Sequence, residues 1–268
     1  MKYLCLELYK LKRRKVFLTF FLILGMELLF IFSNYGNNSN FLSMISDPNA
    51  PAWEDLIIGP AAMNGLFFPM LAAVVASRIC DMEHKGNTWK LLECNNESRN
   101  TIWLCKFTLV AALMLTAILI QVFVIVAYGN AVRIVQPLPV KTLLDYTVGT
   151  IMVTFVVVII QVFFSLVFAN QLIPMSIGMI GALIGFISTL LPAGIRNVLI
   201  WGNYAELMVL GQNNSSGNLQ SSELIVQNIN FIPLTILFVA GLIAFAFFQR
   251  KFQKYEYYGT EQTEVYWL

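Results

Sequence analysis

Six apolar runs alternate with polar intervals along this chain, at about residues 16–33, 56–77, 107–128, 147–169, 173–191 and 231–248. Roughly 20 apolar residues cross the hydrocarbon of a bilayer as a helix. With no water at that depth, a helix is the simplest element that satisfies its own backbone. The pattern predicts an all-α polytopic membrane protein with six transmembrane helices and both termini on one side. Residues 1–15, MKYLCLELYKLKRRK, are patterned differently. Leu4, Leu8 and Leu11 recur at helical spacing, and Lys2, Glu7, Lys10 and the run Lys12-Arg13-Arg14-Lys15 take the other positions. That suits a helix lying among lipid headgroups. A signal peptide would also begin with a basic stretch, but the apolar run that follows is long and no small-residue cleavage site ends it. An uncleaved interfacial helix is expected.

The chain thus reads as a single transmembrane domain over 1–268. An interfacial elbow occupies 1–15 and the membrane domain 16–248, with a polar loop at 78–106 and an interrupted segment at 192–230. A tail at 249–268 follows. Pro69 falls inside the second run and should kink it. Residues 34–55 read as a polar loop, 170–174 as a hairpin that leads Pro174 into the first turn of the next helix, and 211–222 as a polar Asn/Ser/Gly loop. Between the fifth and sixth runs, residues 195–210 are apolar but too interrupted to span. They read as short helices lying at the membrane surface or dipping into it, and Trp201 and Tyr204 are residue types that favour that interface. Gly181 and Gly185 form a G-x-x-x-G pair that permits close helix approach, within the chain or at a subunit interface.

Composition agrees: 58% of the 268 residues are apolar and 12% charged, against about 25% charged in a soluble domain. The net charge of +2 is too small to suggest nucleic acid. Position matters more. Of the 17 Lys and Arg, only Arg133, Lys141 and Arg196 fall on the side away from the termini. The bias predicts cytoplasmic termini and a cytoplasmic 78–106 loop, and it puts Cys5, Cys80, Cys94 and Cys105 on the reducing side. Glu27 lies in the first run, where an acid costs about 2.5–3.5 kcal/mol to insert. It faces a protein interior or snorkels toward water, and the sequence shows no obvious partner for it.

The 80–106 interval is the longest charged stretch between two runs. Gly86 breaks it, and Thr88 can cap a short amphipathic helix, Trp89 to Glu93. It is either a docking element or a solvated loop whose charges set topology. His84, the one histidine, is expected at the surface. No G-x-x-x-x-G-K-[ST], G-x-S-x-G or H-E-x-x-H occurs, so the chain is not expected to be an enzyme, and any uphill transport must draw on another subunit.

Taken together, the basic elbow, six spans, loop and outer helical segment resemble the permease subunits of ABC-2 type exporters. In that family the loop after the second span reads roughly E-x-x-x-G-T-x-x-L-L, followed by an Arg and a Lys. The matching residues here are Glu83, Gly86, Thr88, Leu91, Leu92, Arg99 and Lys106, with Asn87 inserted and Cys94-Asn95-Asn96 where a Pro is common. The length, the absence of a fused ATPase and the Trp201-x-x-Tyr204 segment are similar to the E- and G-type permeases of lantibiotic immunity transporters.

The resemblance implies the ABC-2 (type V exporter) fold and a place in a bacterial plasma membrane. It implies an ABC ATPase dimer that binds ATP and Mg, no cofactor in this chain, and a second permease subunit, with a heterodimer favoured over a homodimer. It assigns ATPase coupling to Glu83, Gly86, Thr88, Trp89, Leu91 and Leu92, contact with a cationic peptide to Glu27, Trp201 and Tyr204, and a subunit interface to Gly181 and Gly185. Two alternatives stay open: an ABC-2 permease for another cargo, and a membrane anchor or sensor that recruits cytoplasmic partners.

Overall fold

A computed structural model of the chain describes residue 11 and residues 15–85, 99–212 and 224–259. The expected interfacial elbow, apart from residues 11 and 15, and residues 86–98 of the expected 78–106 loop therefore lie outside the described residues. The elements are α1 (Val16–Gly36), α2 (Ser39–Ile45), α3 (Ala52–Lys85), α4 (Arg99–Ala131), α5 (Val140–Val167) and α6 (Leu172–Ile187). A 3-10 turn (Ser188–Leu190), α7 (Ala193–Arg196), a second 3-10 segment (Trp201–Leu207), β1 (Leu210–Gln212), β2 (Leu224–Val226) and α8 (Phe231–Gly259) complete them. Among the described residues, α1, α3, α4, α5, α6 and α8 are long and apolar enough to cross a membrane. The expected six-span, all-α architecture is the one observed.

Helix ends differ from the ends of the apolar runs. α3 has 34 residues and α4 has 33, because hydropathy records bilayer thickness and a helix does not stop where the hydrocarbon does. Past residue 77 the polar end of α3 continues as helix, with Lys85 Nζ 2.8 Å from Asp81 Oδ2 one turn back. The expected loop 34–55 contains α2, whose N-terminus is capped by Asn38 Oδ1 accepting from the amides of Asn40 and Phe41. Such a cap is worth about 1 kcal/mol. Phe41 is buried, Tyr35 Oη donates to the Asp55 carbonyl at 2.5 Å, and Trp53 Nε1 donates to the Gln136 carbonyl at 3.0 Å. Three connections at one end of the bundle are thereby tied together.

α3 is the centre of the bundle, packed against α1, α4, α5, α6 and the second 3-10 segment. It runs unbroken through Pro60 and Pro69. Pro69 has no N–H for the carbonyl of Gly65, one turn back, and that carbonyl instead meets α6. A Cβ placed on Gly185 would lie 2.3 Å from Gly65 O, and one on Gly178 would lie 2.2 Å from Ala73 Cβ. The glycine face of α6 is thus occupied within the chain. A Cβ on Gly181 would strike the indole of Trp201 at 2.3 Å. Gly181 and Gly185 therefore pack within the chain, one of the two placements their spacing allowed.

The interrupted segment enters the bundle. Tyr204 Oη is 2.9 Å from Thr154 Oγ1 of α5, and Thr154 lies about 21 Å along α5 from Val140 at 1.5 Å per residue. Of the two expectations, surface-lying or dipping, the structure shows the second. Residues 210–212 and 224–226 form a two-stranded antiparallel ribbon, with Leu210 opposite Val226; of the loop expected at 211–222, residues 211–212 belong to β1 and the rest lie outside the described residues. Strands of three residues carry too few alternations to register in the pattern.

α8 is held chiefly by aromatic contacts. Phe163 of α5 stacks on Phe248 at 3.8 Å, and Trp103 and Phe107 of α4 meet Phe245. Elsewhere α1, α6 and α8 expose Leu18, Leu29, Leu183, Ile236 and Ile243, as surfaces facing lipid tails require.

Gly185→Ala should destabilise the domain by about 1–3 kcal/mol through overpacking against backbone. Gly25→Ala, where nothing lies within 4 Å of the added carbon, should be neutral or stabilising. Thermal unfolding in detergent, followed by tryptophan fluorescence, compares the two.

Candidate functional site

The inward stripe of α1 is Val16, Phe20, Leu24, Glu27, Ile31 and Tyr35, all buried at steps of three and four. Glu27 therefore faces the interior and is fully buried. The snorkelling expectation is overturned, and so is the expectation that the acid lacks a partner. Gln121 Nε2 of α4 donates to Glu27 Oε1 at 2.9 Å and to Asn64 Oδ1 of α3 at 2.7 Å. Asn64 Nδ2 donates to Tyr146 Oη of α5 at 2.8 Å and to Gln121 Oε1 at 3.3 Å. Tyr146 Oη donates to Gln121 Oε1 at 2.7 Å.

Four helices thus contribute one buried polar side chain each to a single cluster. Turning the Asn64 amide about its last bond brings its nitrogen to 3.0 Å from Glu27 Oε1 and 3.1 Å from the Pro60 carbonyl. Glu27 Oε2 has no hydrogen-bond partner among the described residues. Sequence reasoning missed Asn64 and Tyr146. Gln121 was visible as a polar residue in the third apolar run, but α1 and α4 are apolar nearly all round, and no periodicity marks which polar side chains meet.

Next to this cluster the re-entrant segment is held by its own polar contacts. Arg196 donates through Nε and Nη2 to Glu206 Oε1 at 2.9 and 2.6 Å, and Asn203 Nδ2 donates to the Leu199 carbonyl at 2.8 Å. Tyr204 is fully buried, edge-on to Phe68 at 6.0 Å, so it is not the interfacial anchor its residue type suggested. Trp201 is half-buried against Gly181. Of the three residues expected to meet a peptide, Glu27 and Tyr204 lie in the interior and only Trp201 is partly accessible.

At the opposite end of the bundle α3 and α4 carry the flanks of the loop. Glu83 lies in the last turn of α3, whereas Gly86, Thr88, Trp89, Leu91 and Leu92 lie outside the described residues. Lys106 is buried near the start of α4, and its Nζ donates to the Ile79 carbonyl of α3 at 3.2 Å. His84 is half-buried, with Nε2 3.3 Å from the Ser165 carbonyl of α5, which corrects its expected surface position. Among the described residues no group of three or more His, Cys, Asp or Glu could hold a metal.

A carboxyl, two amides and a phenol in mutual contact supply no nucleophile activated by a base. They can lock four helices and hold a proton. Comparison with family models matches residues 3–185 to one described as an ABC-2 family transporter protein, a stretch that runs from before α1 to Gly185 of α6. No curated protein and no solved structure matches the chain.

Replacing Gln121 by Leu removes the amide that bonds both Glu27 and Asn64 and should cost about 1–3 kcal/mol from the buried groups left unsatisfied. Tyr146→Phe removes one hydroxyl and should cost less. Detergent unfolding midpoints of the two variants and of the double variant test this, and a double-variant loss equal to the sum would show that the cluster does not act as a unit.

Proposed function

The chain belongs to the ABC-2 family of transporter proteins and is a multi-pass permease that works with an ABC ATPase; from that premise we propose that it expels antimicrobial peptides of the lantibiotic class from a bacterial membrane. What favours a peptide cargo is a group of apolar side chains on the re-entrant segment, away from the termini. Leu190, at the end of the 3-10 turn after α6, and Val198, just after α7, are 84% and 81% exposed, and Ile195 is exposed as well. Exposed apolar groups on a segment that is not a lipid-spanning helix suit an amphipathic peptide lying in the same leaflet. The resemblance to lantibiotic immunity permeases supports the same reading.

In this proposal both termini are cytoplasmic, as the Lys/Arg bias favours. Residues 83–93 dock in a cleft of the ATPase, which binds ATP and Mg. A second permease subunit, a heteromeric one being favoured, completes the pathway. Closure of the ATPase pair shifts the ends of α3 and α4, and the tilt passes along them to the re-entrant segment, where Trp201 and the exposed apolar residues meet the peptide. The assignment to this family rests on its membrane domain, and the cargo is carried by analogy to sites of this kind.

Replacing both Leu91 and Leu92 by Asp should abolish co-purification of the ATPase and lower ATP-driven export by about tenfold or more, a loss of at least about 1.4 kcal/mol in coupling. Deleting the chain should sensitise cells to lantibiotics. Unchanged sensitivity with an intact ATPase complex would remove the peptide cargo and leave a permease for a different one.

A further inference from the structure

Counting hydrogens in the Glu27 cluster leads to an inference independent of the cargo. Each amide can turn about its last bond and so exchange its oxygen and nitrogen, which leaves few arrangements to consider. With Asn64 as first described, its Oδ1 stands 3.0 Å from Glu27 Oε1 and 3.1 Å from the Pro60 carbonyl. Two oxygens at that distance need a hydrogen between them, and neither Asn64 Oδ1 nor a backbone carbonyl carries one. Turning Asn64 alone removes that conflict but sets its nitrogen 2.7 Å from Gln121 Nε2, two donors face to face. Turning both amides removes this second conflict. Asn64 then donates one hydrogen to the Pro60 carbonyl at 3.1 Å and shares the other between Gln121 and Glu27 Oε1, 3.0 Å away, while Gln121 donates to Tyr146 and Tyr146 to Asn64. In that arrangement, however, Gln121 Oε1 lies 2.9 Å from Glu27 Oε1.

Every arrangement without a donor–donor clash therefore places an amide oxygen 2.9–3.0 Å from the fully buried Glu27 carboxyl. With both amides turned, the one amide hydrogen within reach, on the Asn64 nitrogen, is shared with Gln121. We infer that the Glu27–Asn64–Gln121–Tyr146 cluster is a proton-binding site, in which Glu27 takes one proton from water and donates it to an amide carbonyl when α1 is seated against α3 and α4. The other groups in reach cannot supply this hydrogen. On α3 and α4 only the amides Asn64 and Gln121 stand at this level. The charged residues Glu54, Asp55, Arg78, Asp81 and Lys106 lie toward the ends of those helices. α2 has no titratable side chain. The titratable groups facing Glu27 are the phenols of Tyr146 on α5 and Tyr204 on the re-entrant segment, and both hydroxyls are already engaged.

Among the described residues no basic side chain forms an ion pair with Glu27. Moving α1 away from Asn64 and Gln121 removes the carbonyl that receives the proton and opens the carboxyl to release it. Seating and unseating α1 thus exchanges one proton per permease.

Infrared spectroscopy of the purified full-length permease in lipid, at neutral pH, reads this directly. The expected result is a carbonyl stretch of an un-ionised carboxyl that shifts in deuterium oxide and is lost in Glu27→Gln. If that variant does not fold, Glu27→Asp should move the band in frequency instead, and wild-type protein titrated upward in pH should lose it only on unfolding or opening. A wild-type spectrum with only ionised carboxylate at neutral pH would overturn the inference. So would a band of this kind that Glu27→Gln or Glu27→Asp leaves unchanged. Neither outcome bears on the cargo, which the sensitivity assay decides separately.

Discussion

A polar atom inside hydrocarbon has no water to turn to, and each one left unpaired costs free energy on the scale of a lost hydrogen bond or more. Much of the internal arrangement follows from meeting that demand. Six continuous helices satisfy the spanning backbone. Where Pro69 interrupts the pattern on α3, the Gly65 carbonyl lies against the glycine face of α6, and only residues without a side chain allow that approach. Where the chain re-enters the bundle without regular α-helix, Arg196, Glu206, Asn203 and Tyr204 provide partners from within. Such irregular backbone is tolerated at depth only when protein surrounds it. Glu27 is the extreme case: Gln121 bonds its Oε1, Asn64 and Tyr146 brace Gln121 from two other helices, and Oε2 has no partner among the described residues.

The same demand explains what could be read in the sequence. Six runs of sufficient length are a strong signal, because hydrocarbon thickness fixes how many apolar residues a helix needs, and the six spans appear in order. The G-x-x-x-G spacing correctly announces a close approach but not its partner. Whether Gly181 and Gly185 face Trp201 and Gly65 or another subunit depends on helix rotation, and an apolar-all-round helix conceals its rotation. Glu27 shows the same limit. Its side chain sits on the stripe with Phe20, Leu24 and Ile31, yet its neighbours on the lipid face are just as apolar. His84 was misplaced, and the burial of Lys106 was not visible, for another reason. Composition locates the edge of the bilayer, whereas the helices run past it and bury polar side chains against one another there. The β-ribbon and α2 were missed because each is shorter than the window over which periodicity becomes visible.

A link between the two ends of the molecule follows from the lengths of α3 and α4. At 34 and 33 residues and 1.5 Å per residue they extend about 50 Å, roughly 20 Å more than the hydrocarbon requires. Both carry part of that surplus where the 78–106 loop joins them. The projecting arms are tied at their base by Lys106 Nζ on the Ile79 carbonyl, so a push on the loop moves them together and does not splay them. Higher in the bundle the same two helices contribute Asn64 and Gln121. The carboxyl that these amides hold belongs to α1, and at its far end α1 is tied to α3 by Tyr35 Oη, which donates to the Asp55 carbonyl and accepts from the Gly59 amide. A rigid tilt of the α3–α4 pair therefore bears on α1 at two points, the Glu27 contacts and the Tyr35 tie. On the proposed reading, the stroke of the ATPase and the proton on Glu27 are read out by the same pair of helices, and the cluster lies where a small rotation separates a carboxyl from its acceptor before it disturbs the glycine-packed crossing of α3 with α6.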